Sequence, residues 1–328
     1  MKEAYVNTVD GWSLAVRHYE PRERSQPHPV VLCHGFAASG RSFELGQTTM
    51  VNFLVERGYD VFVGDLRGHG TSTHNRGVRD WAFSEYVEID APLLVSHACE
   101  VTGSKRAHWI GHSMGGIIGL GLTIDEPEVK LASLTTVGSS LDYSASGSDW
   151  SLFHPLFPLI KRLPSVPVGG LARLESRLLP TLRTPFSTLN VWPGNSDHEL
   201  WQNVCREVFS DTSTGVIAQL TSGLEPGGLR SARDPSRRYM DAAKVIKVPT
   251  MIVTGDRDKQ CPPLAARRTF DAVGTPDKEL VVFGRGRGDR YHYGHFDLVI
   301  GKHATTEVFP ALERWMSTHP SPGERALS

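Results

Sequence analysis

Apolar and polar positions follow two rhythms along this chain, one of alternating strands and helices and one of helical segments alone. Residues 4–9 and 12–19 carry alternating apolar positions around an Asp10-Gly11 turn, which predicts an antiparallel strand pair. A Pro-rich link, 21–29, leads to Val30-Val31-Leu32-Cys33. An unbroken β-branched run of this kind suits a strand buried on both faces. Helical spacing over 50–56 stops at Arg57-Gly58, and Asp60-Val61-Phe62-Val63 reads as the next strand. A helix over 86–100, a strand over 107–110, a small-residue helix over 114–124 and a strand over 131–137 continue the series. This alternation implies right-handed crossovers and a mostly parallel central sheet with helices on both faces, an α/β fold.

The rhythm breaks over 141–243, where only apolar helical segments divided by Pro and Gly appear. Ser196-Asp197-His198-Glu199 reads as a capping box opening a helix through Val208, and 214–224 as another helix. Strand patterning resumes at 248–253 and 279–283, and a helix over 305–316 follows. The expected organisation is a core of 1–140 and 245–318, a helical cap inserted at 141–244, and a disordered polar tail at 319–328.

Composition narrows the function classes. With 39% hydrophobic and 22% charged residues, a chain of 328 residues can bury a sizeable core without disulfides or metals. Lys plus Arg number 35 against 36 for Asp plus Glu, so there is no basic excess for a nucleic-acid surface. The 14 His are scattered with no zinc-helix spacing, and neither metal nor cofactor is expected. The four cysteines include no C-x-x-C, and Cys33 reads as a buried free thiol. Met1-Lys2-Glu3-Ala4-Tyr5 lacks the apolar core of a signal peptide, no sequon occurs, and no apolar run reaches the roughly 18 residues of a membrane span. A cytoplasmic location is expected, with oligomeric state left open. The Gly284-Arg285-Gly286-Arg287-Gly288 patch is too short for a nucleic-acid segment and reads as a flexible loop.

The chemistry concentrates at Gly111-His112-Ser113-Met114-Gly115. A lone G-x-S-x-G says little, but this one follows a predicted strand and opens a helix. Such a turn projects the Ser113 hydroxyl above the sheet, its flanking glycines avoid Cβ clashes, and the helix N-terminus favours developing negative charge. Serine needs a base, and the base an orienting acid. His295 follows a glycine after the last predicted strand and is the expected base, with His292 the alternative. Just after strand 248–253, Gly255-Asp256-Arg257-Asp258 offers two acids; Asp258 is preferred over Asp256, with Asp142 a third candidate. The amides of Phe36 and Met114 are the expected oxyanion donors, since Gly35 lets the backbone turn after the strand ending at Cys33. His34, Gly35 and His112 are expected to border the substrate.

His34-Gly35-Phe36, Asp65-Leu66-Arg67-Gly68-His69-Gly70-Thr71-Ser72, the Gly-His-Ser-Met-Gly-Gly turn, Gly255 to Asp258 and Gly294-His295 stand in the order found in the α/β-hydrolase superfamily, which the sequence resembles over nearly its whole length. The resemblance implies Ser113 as nucleophile, Asp258 as acid, His295 as base, and a cap that shapes the substrate site. It implies no catalytic role for the Asp65 to Ser72 loop. The stretch from Tyr293 through Gly301, with Asp two residues after His295, is similar to the end of acid-lipase-type members.

The expected function is therefore a serine hydrolase cleaving a small-molecule carboxylic ester through an acyl-enzyme. Cap residues such as Trp150, Phe153, Phe157, Trp192 and Trp201 would either meet an apolar part of the substrate or form the cap's own core. A thioesterase, lactonase or product-releasing cyclase would use the same groups. A non-catalytic ligand-binding member of the fold is the alternative from another class.

Overall fold

The computed structural model describes residues 1–46, 48–77, 80–160, 162–163, 165–178, 184–231 and 234–319. Eight strands carry the sheet: β1 (Lys2–Asn7), β2 (Trp12–Tyr19), β3 (Val30–Cys33), β4 (Val61–Gly64), β5 (Ala107–His112), β6 (Leu131–Val137), β7 (Thr250–Gly255) and β8 (Lys278–Phe283). Their spatial order is β1-β2-β4-β3-β5-β6-β7-β8, with Thr73–His74 pairing onto β2 as a ninth short strand. β1 to β2 and β2 to β4 are antiparallel, and every later pairing is parallel. The mostly parallel sheet expected from the sequence is the sheet observed.

The apolar runs explain where these strands sit. All residues of β3, β4, β5, β6 and β7 are buried, whereas β8 at the edge alternates in exposure. Within β3, Val31 and Cys33 join one hydrophobic cluster and Val30 and Leu32 the other. The strand period of two thus feeds one core on each face of the sheet.

The main helices outside the β6–β7 interval are α1 (Met50–Val55), α2 (Ala91–Thr102), α3 (Met114–Asp125), α8 (Pro263–Ala272) and α9 (Phe309–Ser317). α1 starts on Thr49, whose hydroxyl accepts the Asn52 N–H at 3.1 Å. The single helix expected over 86–100 is instead a wider turn, Tyr86–Asp90, followed by α2. Pro92 has no N–H to bond back, so the ladder changes register there. α3 lies close on the sheet because Gly116 and Gly119 lack side chains: a Cβ on Gly116 would stand 2.2 Å from Ser139 Oγ.

Between β6 and β7 run helical turns at Asp149–Leu156 and Phe157–Ile160, then α4 (Val168–Leu178), α5 (Pro185–Asn190), α6 (His198–Glu207) and α7 (Thr214–Leu220). Two features there differ from expectation. A two-stranded ladder, Ser165–Val166 with Thr212–Ser213, is present where no strand was predicted, being too short to leave a pattern. The cap of α6 is Asp197, whose Oδ1 accepts the Leu200 N–H at 3.0 Å, while the Ser196 hydroxyl turns away to Asp297. Residues 320–328 of the expected tail lie outside the described residues.

Candidate active site

Ser113 occupies the turn between β5 and α3 with φ 55° and ψ −121°, a conformation that costs a non-glycine residue roughly 1–3 kcal/mol. Its neighbours enforce it. A Cβ on Gly111 would lie 2.2 Å from the Gly115 carbonyl group, and one on Gly115 would lie 2.2 Å from the Cys33 carbonyl oxygen. Ser113 donates its N–H to the Val137 carbonyl at 2.7 Å, and Ser139 Oγ donates to the Ser113 carbonyl at 2.7 Å. The strained turn is thereby held from both sides.

His295 lies after β8, and its Nδ1 stands 2.9 Å from Asp258 Oδ2 and 3.1 Å from Oδ1. Asp258 Oδ1 also accepts the N–H groups of Gln260 and Cys261, at 2.9 and 2.8 Å. That loop after β7 fixes the carboxylate before the imidazole meets it. With Nδ1 donating to the carboxylate, Nε2 is the acceptor nitrogen of His295, and it is buried without a hydrogen-bond partner among the described residues. Gly138, at φ 67°, closes the back of the pair: a Cβ there would stand 3.0 Å from the imidazole and 3.1 Å from Asp258 Oδ2.

Asp256 goes elsewhere. Its carboxylate accepts the Tyr293 N–H at 3.0 Å and pairs with His292 Nδ1, bracing the loop that carries His295. Asp142 closes its own turn on the Ser144 N–H at 2.8 Å and pairs with Arg268.

Gly35 packs directly against the nucleophile turn, since a Cβ on it would meet Ser113 Cβ at 2.9 Å. Neither the Phe36 N–H nor the Met114 N–H donates a hydrogen bond within the protein among the described residues. His112 donates Nε2–H to the His295 carbonyl at 3.2 Å, and the two ring centres are 4.7 Å apart. Burial first, and the neighbouring His295 second, hold the His112 pKa well below the ordinary histidine value. His34 behaves differently from its expected place at the substrate. Its Nδ1 donates to the Gly35 carbonyl at 3.0 Å and its Nε2 accepts the Leu66 N–H at 3.1 Å, so it braces two loops behind the cavity wall.

A cavity of about 440 Å³ opens on these groups. Ser113, His295, His112, Gly35, Phe36 and Met114 share its wall with Trp150, Phe157, Leu171, Phe186, Phe209 and Phe296. Trp201 belongs instead to the packed core, and Trp192 stacks edge-on against His292. The Phe153 side chain lies outside the described residues.

Three features around the site have partners that the sequence did not reveal. Asp297, fully buried, accepts the N–H groups of Trp192 at 2.6 Å and Gly294 at 2.8 Å and the Ser196 hydroxyl, tying the β6–β7 interval to the His295 loop. Gln260 Nε2 donates to Asn190 Oδ1 at 2.8 Å, joining the Asp258 loop to α5. Gly138, directly after β6, sits against both His295 and Asp258. Among the described residues no His, Cys, Asp and Glu cluster is fit to hold a metal, no helix is long and apolar enough to cross a membrane, and all four cysteines are free and buried.

The chain is 33% identical over 132 residues to gastric triacylglycerol lipases of Rattus norvegicus and Homo sapiens, a match covering 36% of this chain and 33% of each lipase. The matched region thus spans about a third of those relatives. In structure it is similar to an esterase from Exiguobacterium antarcticum, with TM-score 0.62, 18% identity, and coverage of 96% of this chain and 100% of that one. It is also similar to a monoacylglycerol lipase from Paleococcus ferrophilus, with TM-score 0.60, 21% identity, and coverage of 94% and 99%. At such identities these likenesses speak for the fold alone. The family model described as Hydrolase_4, serine aminopeptidase S33, matches residues 25–292, and the chain belongs to this family of α/β hydrolases.

Proposed function

We propose that the protein is a serine esterase that hydrolyses carboxylic esters with an apolar acyl or aromatic part. The observation that carries this reading is the buried His295–Asp258 pair at 2.9 Å, opening onto the same apolar cavity as the strained Ser113. In the proposed mechanism His295 Nε2 takes the Ser113 hydroxyl proton as Oγ attacks the ester carbonyl carbon. Asp258 holds the ring in the tautomer with Nδ1 protonated and stabilises the imidazolium that forms. The Phe36 and Met114 amides receive the oxyanion. The tetrahedral intermediate collapses as the imidazolium returns its proton to the leaving alkoxide, and water then cleaves the acyl-enzyme by the reverse sequence of proton transfers.

Residues 141–244 act in this reading as a cap, because Trp150, Phe157, Leu171, Phe186 and Phe209 form much of the cavity wall. Their apolar character supports an acyl chain or aryl ring rather than a charged group there. Glu175 is the one carboxylate on that wall among the described residues, and one of its oxygens accepts the Thr184 hydroxyl at 2.6 Å. An aminopeptidase would need such a carboxylate for the substrate ammonium, so aminoacyl anilides belong in the assay beside p-nitrophenyl esters and thioesters.

Purified protein is expected to turn over medium-chain p-nitrophenyl esters and to be labelled by a fluorophosphonate. Ser113→Ala should abolish labelling, and Asp258→Asn should lower kcat by roughly 10⁴-fold, against less than about ten-fold for Asp256→Asn. Turnover by Ser113→Ala equal to that of the unaltered protein would sink the esterase reading. A larger loss from Asp256→Asn than from Asp258→Asn would reassign the acid.

A further inference from the structure

Helices in a folded domain ordinarily bury their apolar stripe, but the helices beside the cavity mouth do the reverse. In α4 the residues facing the protein are small, Gly169, Ala172 and Ser176, while Leu171, Leu174 and Leu178 are 51–67% exposed. These leucines stand at i, i+3 and i+7, which places them on one face of the helix. The helical turns at 149–160 and the residues just after them expose four more leucines, Leu152, Leu156, Leu159 and Leu163, at 48–71%. Of the thirteen large hydrophobic side chains exposed among the described residues, these two segments hold seven. A soluble surface scatters such residues singly, and grouping them marks a surface that meets something apolar.

Charge says what that partner is. Over 150–178 the sequence carries Lys161, Arg162, Arg173 and Arg177 against Glu175 alone, in a chain whose formal net charge is −1. Glu175 is turned to the cavity, whereas Arg162, Arg173 and Arg177 are exposed. On α4, Arg173 and Arg177 directly precede Leu174 and Leu178 in the chain, and Arg173 Nη1 also donates to the Phe209 carbonyl at 3.4 Å. Leucines on one face with arginines beside them are the make-up of a helix that lies in the headgroup region of a bilayer and is drawn there by anionic lipid. Leu171 belongs both to the exposed stripe and to the cavity wall, so the stripe is continuous with the entrance.

We propose that the surface carrying these exposed leucines, with Arg162, Arg173 and Arg177 beside them, docks on an anionic bilayer, with the cavity mouth turned toward the lipid. The proposal builds on the esterase reading, because it gives an apolar ester a path that avoids water. Its test does not depend on turnover. Ser113→Ala protein is mixed with vesicles of phosphatidylcholine alone or of phosphatidylcholine with phosphatidylserine, and bound protein is measured by co-sedimentation. Partitioning is expected to be roughly ten-fold or more stronger on the anionic vesicles and to weaken with added salt. Leu159→Ser/Leu174→Ser/Leu178→Ser should abolish binding, and Arg162→Glu/Arg177→Glu should reduce it to the neutral-vesicle level. Neither set lines the cavity, so hydrolysis of a soluble short-chain ester by the corresponding Ser113-containing variants should be unchanged. Absence of binding to either vesicle, or equal binding to both, would overturn the proposal. Concentration-dependent dimerisation removed by the leucine substitutions, without vesicle binding, would assign the face to a second copy of the chain instead.

Discussion

The strain at Ser113 is a stability cost located at the residue proposed to do the chemistry. With φ at 55° the serine Cβ sits where only glycine is comfortable, and the turn persists because Gly111, Gly115 and Gly35 crowd it on three sides. Removing the hydroxyl and removing the strain are therefore separable. Ser113→Ala keeps Cβ and should melt close to the unaltered protein. Ser113→Gly removes Cβ and should raise stability by about 1 kcal/mol, less the entropy glycine adds to the unfolded chain. Both should be inactive. Thermal unfolding of the three proteins side by side checks this, and Ser113→Gly melting below Ser113→Ala would mean that the turn stores no relievable strain.

At the scale of elements, the loop carrying His295 is held as much by the β6–β7 interval as by the sheet. Asp297 is the centre of that hold, and burial, opposed by its three hydrogen bonds and assisted by the Asp258 charge, leaves its pKa pushed up to about 6 from 3.8. A raised acid pKa means that the native state binds the proton more tightly than the unfolded chain does. The contribution of this group to stability is then fully present below pH 3.8 and declines as pH rises toward about 6, by on the order of 3 kcal/mol in total. Asp297→Asn keeps an oxygen for the two amides, can donate to Ser196, and does not titrate. The melting temperature of the variant minus that of the unaltered protein should increase between pH 4 and pH 6 and level off above. A difference that stays constant across that range would mean that Asp297 does not titrate there. The same loop separates what sequence reveals from what it hides. Strands β3 and β6 and the Ser113 turn are local signals: unbroken apolar runs, and glycines at short fixed spacings. Their limits were readable to within a few residues because backbone sterics and burial act on neighbours in the chain. The surroundings of Asp256 and Asp258, by contrast, are not local. Asp256 meets the Tyr293 N–H and His292, 36 to 37 residues away, and Asp258 meets His295 Nδ1. His34 likewise read as a substrate contact until the fold brought the Leu66 N–H onto its ring. Asp297 stood in plain view two residues beyond His295, but its partners Trp192 and Ser196 lie about a hundred residues earlier.

For the whole molecule, the decisive relation is between the sheet, which supplies Ser113, Asp258 and His295 from the ends of β5, β7 and β8, and the interval after β6, which supplies much of the apolar wall around them. Filling the cavity should therefore strengthen the contact between the two. Alkyl fluorophosphonates of increasing chain length would place a growing tail in that space once bonded to Ser113 Oγ. Each methylene removed from water should add about 0.8 kcal/mol to the stability of the adduct, until about 440 Å³ is full. Melting temperature is then expected to climb with chain length and reach a plateau, and the length at the plateau should match the acyl length of greatest kcat/KM. Adducts whose melting temperature is independent of chain length would place the alkyl group in solvent, and the cavity would not be the acyl site. A rise that ends at short chains, with hydrolysis still improving for longer ones, would instead locate the rest of the acyl group beyond the mouth, against the exposed leucines of α4.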